Sequence, residues 1–138
     1  LGTACFCGLE FQVTPDALIP RPETEQLVDI ACEMAETITC PVIYDFGTGS
    51  GCIAVTLAKR LAKAKVIASD ISGEALRLAK ANAEQHRVTE RMEFRQADGP
   101  ALATGEQVQL IVSNPPYIPT AEIVELEPEV RDFDPHQA

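Results

Sequence analysis

The sequence predicts an α/β domain, doubly wound around a mostly parallel sheet. Three observations carry this. Short runs that are apolar on both faces alternate with helical stretches, as in a parallel sheet covered on both sides. A glycine cluster, Gly47, Gly49 and Gly51, ends the first of these runs. Polar residues close the next three, with Asp70, Asp98 and Asn114 in turn. Crossovers between parallel strands are right-handed, and such sheets bind ligands beyond the carboxyl ends of their strands. Four polar or glycine-rich strand ends on one edge therefore make a candidate site.

The elements follow in order. Residues 5–14 alternate, with Phe6, Leu9, Phe11 and Val13 among small and polar residues, and read as a strand or hairpin. A loop with Pro20 and Pro22 comes next. Residues 23–38 read as a helix whose stripe is Leu27, Ile30, Ala31, Met34, Ala35 and Ile38. Residues 42–46 are a short apolar run, read as a buried strand. Residues 52–61 read as a helix with Ile53, Leu57 and Leu61 on one side. Residues 65–69 form a second strand and 73–86 a helix rich in Ala and Leu. Residues 92–95 form a third, weaker strand and 108–113 a fourth. Residues 1–41 are thus a hairpin or loop with a lead-in helix, residues 42–138 the core, and the two read as one domain.

Composition narrows the function classes. In 138 residues, 46% are hydrophobic and 23% charged, an ordinary globular balance. The formal net charge is −10, from 21 acids and 11 bases. Nucleic acids are held mainly by Lys and Arg on phosphate, so this balance argues against a self-sufficient nucleic-acid binder. The five cysteines, Cys5, Cys7, Cys32, Cys40 and Cys52, are odd in number and form no CxxC pair. They suit neither a disulfide framework nor a zinc knuckle; a reduced, cytoplasmic protein with buried or inert thiols is the simpler expectation. No apolar run reaches membrane-spanning length and no signal peptide is visible. The chain starts at Leu1 and stops abruptly at Ala138, which suggests a piece of a longer protein.

The loop from residue 45 reads Asp-Phe-Gly-Thr-Gly-Ser-Gly. Glycine permits positive φ and close approach of backbone to ligand. The loop opens a helix whose free N–H groups and dipole favour an anion, such as a nucleotide phosphate or a carboxylate. A dinucleotide fingerprint would need a third glycine where Cys52 stands, and no Lys-Ser or Lys-Thr follows for a P-loop. The loop points to an adenosine-type cofactor without saying which; the bland alternative is a tight turn with no ligand. Asp70, 19 residues after Gly51, could accept two hydrogen bonds from a ribose diol. It could instead cap the next helix, unless Ser72 caps and leaves Asp70 free. Asp98 could lie near an adenine, or simply make an Asp-Gly turn with Gly99.

Residues 114–117 are Asn-Pro-Pro-Tyr, the most diagnostic stretch. The prolines forbid continuation of the strand or an immediate helix interior and extend their predecessors. They lack N–H, so the turn offers carbonyl acceptors with little competing donor. A planar –NH2 group is a poor nucleophile because its lone pair is delocalised. The Asn114 side-chain oxygen and the Pro115 carbonyl could take its two hydrogens and orient the nitrogen towards a methyl donor. Tyr117 could stack on the planar group and offer its π-face to a sulfonium. The bland alternative is a polar turn with Tyr117 at the core edge.

Residues 18–25 (Leu-Ile-Pro-Arg-Pro-Glu-Thr-Glu), 45–51, 70–72 and 113–118 together resemble the protein-(glutamine-N5) methyltransferases that modify peptide chain release factors. The tetrapeptide alone is shared with enzymes that methylate DNA adenine or RNA guanine; the Ile-Pro-Arg-Pro-Glu-Thr-Glu segment is much more specific to the glutamine family. The resemblance implies a Rossmann-like class I S-adenosylmethionine-dependent methyltransferase fold, here truncated at both ends. It implies that Gly47, Thr48, Gly49, Ser50 and Gly51 line the S-adenosyl-L-methionine pocket. Asp70 would hold the ribose, and Asp98 and Gly99 would lie near the adenine, with Asn114 also beside the cofactor. Asn114, Pro115, Pro116 and Tyr117 would be the catalytic turn holding the glutamine, and Arg21 and Glu23 would line the mouth. The substrate would be the Gln of the Gly-Gly-Gln motif of a release factor, the product S-adenosyl-L-homocysteine, and no metal, nucleic acid or membrane would be involved. Two other readings stand beside it: a nucleic-acid amino-methyltransferase, and a cofactor-binding module without catalysis. A sheet that ended at its fourth strand would leave that strand's edge bare, so the chain is expected to be less stable than a longer parent.

Overall fold

The structure is a computed structural model and describes residues 2–14, 24–97, 106–113 and the backbone of 122–125. It opens with an antiparallel hairpin of β1 (Gly2–Phe6) and β2 (Leu9–Val13). The two turn residues, Cys7 and Gly8, both have positive φ, 51° and 77°. That is the primed geometry which matches the twist of a two-residue hairpin. Phe6 and Phe11 are buried and meet edge-on at 6.4 Å. The Cys7 N–H donates to Glu25 Oε2 at 2.8 Å, which ties the turn to the start of α1 (Thr24–Glu36).

On α1 the buried residues are Thr24, Leu27, Val28, Ala31, Cys32 and Ala35. The expected stripe was rotated: Ile30 is half exposed, while Val28 and Cys32 face inwards. The two stripes have the same helical spacing and are offset by three residues, so the period alone does not choose between them; the packing of α1 against its neighbours does.

The main sheet contains β3 (Val42–Phe46), β4 (Lys65–Asp70), β5 (Met92–Gln96), β6 (Leu110–Ser113) and β7 (Glu122–Glu125). Their order is β5-β4-β3-β6-β7. The first four run parallel and β7 pairs antiparallel with β6. The bare edge expected on the fourth strand is therefore absent. β7 covers it in a register from Leu110 opposite Glu125 to Ser113 opposite Glu122. Its four residues, Glu-Ile-Val-Glu, are too short and too charged to announce a strand without the partner edge.

The helices α1, α2 (Cys52–Arg60) and α3 (Gly73–Gln85) pack beside one another over the sheet face that carries Ile43, Val66, Ala68, Leu110 and Val112. Tyr44, Ile67 and Ile111 form a second cluster from the alternate positions, on the opposite face. Residues 52–58 of α2 are buried on every side, because the helix lies between α1, α3 and the sheet. Small side chains at Ala54, Ala58, Ala79 and Ala83 allow that close layer. All five cysteines are free: Cys32 and Cys52 are buried and Cys7 partly so, but Cys5 and Cys40 are exposed. Burial pushes the Cys7 and Cys52 thiols up to about 11, which keeps them protonated and inert. Among the described residues no helix is long and apolar enough to cross a membrane.

Candidate functional site

The carboxyl ends of the parallel strands meet as expected. Phe46 stands opposite Ser69 on one side and Ser113 on the other, and Asp70 stands opposite Gln96. The chain leaves β3 at this edge and turns through Gly47–Gly51 into α2.

Backbone hydrogen bonds hold the two ends of the turn. Gly47 N and Thr48 N both donate to the Ser69 carbonyl, at 2.9 and 2.8 Å. Gly51 N donates to the Thr48 carbonyl at 2.9 Å. Gly47, Gly49 and Gly51 have φ of 73°, 57° and 83°, all in the left-handed region. Gly51 is needed twice over. Its positive φ is one reason; the other is that a Cβ there would lie 2.8 Å from Ala79 Cβ. At Gly47 and Gly49 a Cβ would meet nothing within 4 Å, so these glycines leave open space along the loop. α2 starts without a side-chain cap.

Two carboxylates grip the turn. Asp70 Oδ2 accepts from Gly49 N at 2.9 Å, and Asp70 Oδ1 accepts from Ser72 N at 3.0 Å. Ser72 is the N-cap of α3, accepting from Ala75 N at 3.1 Å. The expectation that Ser72 caps is met, but Asp70 is not left free: its side chain joins the second turn to the first. Each carboxylate oxygen still keeps a lone pair for a further donor. Asp45, buried at the end of β3, accepts from Thr48 Oγ1 at 2.8 Å. Burial pushes its carboxyl up to about 7; the Thr48 hydroxyl opposes this, Asp70 nearby adds to it, and the Ala54 backbone N–H opposes it. The helix terminus thus faces an internal acid.

Of the expected cofactor residues, the structure brings Gly47, Thr48, Gly49, Ser50, Gly51 and Asp70 into one site. Asp98, Gly99, Asn114, Pro115, Pro116, Tyr117, Arg21 and Glu23 lie outside the described residues. Three features escaped the sequence reading. Asp45 was visible as an acid inside an otherwise apolar strand. Ile71, beside Asp70, is 63% exposed and offers an apolar surface at the edge of the site. Asn82 lies fully buried on the inner stripe of α3, where its side chain reaches the Ser50 carbonyl at 2.8 Å.

Residues 23–126 match the family described as "Methyltransferase small domain". The chain is 47% identical over 146 residues to the release factor glutamine methyltransferase of Chlorobaculum tepidum, covering 99% of this chain and 50% of that protein. It thus spans about half the length of the curated relatives it matches. Among solved structures, an RNA methyltransferase from Salinibacter ruber in complex with S-adenosyl-L-homocysteine superposes with a TM-score of 0.50. The two share 31% identity over 58% of this chain and 50% of that one. The METTL16 methyltransferase domain superposes with a TM-score of 0.63 at 20% identity, covering 79% of this chain and 47% of that one, a likeness of fold alone.

Proposed function

Because the chain belongs to the methyltransferase small-domain family, we propose that it is the catalytic part of a protein-glutamine methyltransferase acting on peptide chain release factors. The reaction moves a methyl group from S-adenosyl-L-methionine to the side-chain amide nitrogen of the Gly-Gly-Gln glutamine. The observation that carries the cofactor reading is the join between Asp70 and the glycine turn. A carboxylate with spare lone pairs stands next to a stretch of backbone stripped of Cβ atoms, which suits a ribose diol beside a close-lying chain of atoms. The likeness to named release factor glutamine methyltransferases along the whole chain supports the substrate.

In this reading Thr48 and Ser50 shape the wall between the glycines, and Ile71 offers its exposed side chain to the flat face of the adenine. Asp98 and Gly99 complete the adenine side. Asn114 and Pro115 take the two amide hydrogens, Pro116 keeps the turn rigid, and Tyr117 covers the planar group. Arg21 and Glu23 flank the entry of the peptide. The cofactor supplies an electrophilic methyl on a sulfonium; the chain contributes orientation and hydrogen-bond acceptors rather than a strong base. A reducing, cytoplasmic setting fits the five free cysteines.

The test mixes the full-length protein with S-adenosyl-L-methionine and unmodified release factor, followed by peptide mass spectrometry. One added methyl on the Gly-Gly-Gln glutamine is expected. Cofactor binding without that methyl would overturn the substrate, and methyl transfer to DNA or RNA instead would favour a nucleic-acid amine. No binding of S-adenosyl-L-homocysteine would overturn the cofactor.

A further inference from the structure

Asn82 is fully buried in α3, and its amide is used on three sides. Nδ2 donates to the Ser50 carbonyl at 2.8 Å and to the Gln12 carbonyl at 3.0 Å. Oδ1 accepts from Gln12 N at 2.8 Å. The partners determine the amide's orientation, because a backbone N–H can only donate and a carbonyl can only accept. Both hydrogens are consumed.

Gln12 lies on the outward rung of the hairpin. Thr3 faces it across the ladder, three rungs from the Phe6–Leu9 pair that closes the turn. Its N–H and C=O point away from β1, and the Asn82 amide pairs with both as a neighbouring strand would. On the other side, the peptide between Ser50 and Gly51 is pinned at both ends. Its carbonyl is held by Asn82, and its N–H by the Thr48 carbonyl. Ala79, one turn earlier on the same stripe of α3, lies directly against Gly51. The hairpin is anchored further along α3 as well, since Gln85 Nε2 and His86 Nε2 both meet the Glu10 carbonyl.

We propose that Asn82 is a positioning residue that sets the glycine turn from the hairpin, so that the hairpin is part of the cofactor site although it need not touch the cofactor. The proposal rests on cofactor binding at the glycine edge. The physical reason is that Ser50 is buried and its carbonyl has no helical donor among the described residues, so loss of the amide forces that peptide to rotate in search of another partner. Rotation of the 50–51 peptide carries Gly49 with it, and Gly49 borders the open side of the loop where the cofactor reading puts the ligand.

The test uses the full-length protein and titrates S-adenosyl-L-homocysteine by calorimetry against two variants. Asn82→Asp keeps the acceptor for Gln12 but loses both donors. Gln12→Pro removes the hairpin N–H that Asn82 accepts and puts the ring Cδ against Asn82 Oδ1 in its place, and it leaves the β1 ladder intact because that N–H points outwards. Asn82→Asp is expected to weaken binding about tenfold or more, and Gln12→Pro a few-fold. In both, amide exchange at residues 49–51 rises, and in turnover KM for the cofactor rises while kcat holds. If Asn82→Asp does not fold, Gln12→Pro carries the test alone, since Gln12 makes no hydrogen bond to the glycine turn among the described residues. A lower denaturation midpoint with affinity unchanged within twofold in the folded variants would overturn the proposal. Failure of the parent protein to bind S-adenosyl-L-homocysteine would overturn both this and the cofactor reading beneath it.

Discussion

Two strand-to-helix turns stand side by side at the carboxyl edge of the sheet and are built on opposite principles. The turn from β3 into α2 has three glycines at positive φ, no side-chain cap and nearly complete burial at Thr48, Ser50 and Gly51. The turn from β4 into α3 is conventional. Ser72 caps from extended backbone at φ −88°, and Asp70 and Ile71 extend outwards. One turn removes side chains so that backbone can come close. The other keeps its backbone ordinary so that side chains can be presented. A pocket for a ligand with both a flexible chain and a sugar needs both. The Gly49–Asp70 hydrogen bond joins them.

The first turn should therefore be the more fragile. Gly51→Ala combines left-handed strain with a Cβ 2.8 Å from Ala79 Cβ. Strain contributes about 1–2 kcal/mol and overpacking roughly 1–3 more. Urea unfolding should show a loss of about 3 kcal/mol, the largest effect of any change at this edge. A loss below about 1 kcal/mol would mean that α2 and α3 are loosely packed and the contrast between the turns is overstated.

Asp45 sharpens the comparison through pH. Its folded carboxyl titrates at about 7, against an ordinary value of 3.8. Between these values the folded state holds a proton that the unfolded chain has released. This residue's contribution to stability therefore falls as pH rises from about 4 to 7 and is flat above. The size is on the order of a few kcal/mol. Asn at this position keeps an acceptor for Thr48 without a charge. Asp45→Asn should remove that part of the slope, read as the difference between parent and variant in unfolding experiments from pH 4 to 8. Identical slopes would show that the carboxyl is not held protonated by burial.

The second turn should yield affinity rather than stability. Asp70→Asn keeps one acceptor but presents an NH2 group to one of the two backbone donors, and loses the charge. Hydrogen bonds to charged groups are worth about 1.5–3 kcal/mol. S-adenosyl-L-homocysteine should then bind about tenfold or more weakly, with kcat at saturating cofactor less affected. Unchanged affinity would remove Asp70 from the ribose.

Much of this edge was legible in the chain because its signals are local. The apolar run at 42–46 and the glycines after it announce a strand and a tight turn within ten residues, and Ser72 three residues before Ala75 announces a cap. What the sequence hid depends on partners far along the chain. Asn82 looks like any polar residue in an alanine-rich helix until its stripe is seen to face Gln12, 70 residues away. β7 needs the edge of β6 to become a strand. Ile30 and Val28 compete for the inner face of α1, and only the packed layer decides between them. Asp70 stands out in the chain as an acid closing a strand, but its grip on Gly49 requires the two turns to be neighbours in space.

The smallest expected effect tests the conventional turn most directly. Ser72→Ala deletes the hydroxyl that accepts from Ala75 N, and such caps contribute about 1 kcal/mol. Because Asp70 Oδ1 still accepts from Ser72 N, the backbone entry into α3 is retained and the carboxylate keeps its orientation. Urea unfolding should therefore show a loss of about 1 kcal/mol, while affinity for S-adenosyl-L-homocysteine stays within about twofold, well inside the loss of a single hydrogen bond. Thr in its place should restore most of the stability, since its hydroxyl caps in the same way. A collapse of affinity in Ser72→Ala would mean that the cap, not the link to Gly49, orients Asp70. The two turns would then be coupled through the α3 terminus rather than through the carboxylate between them.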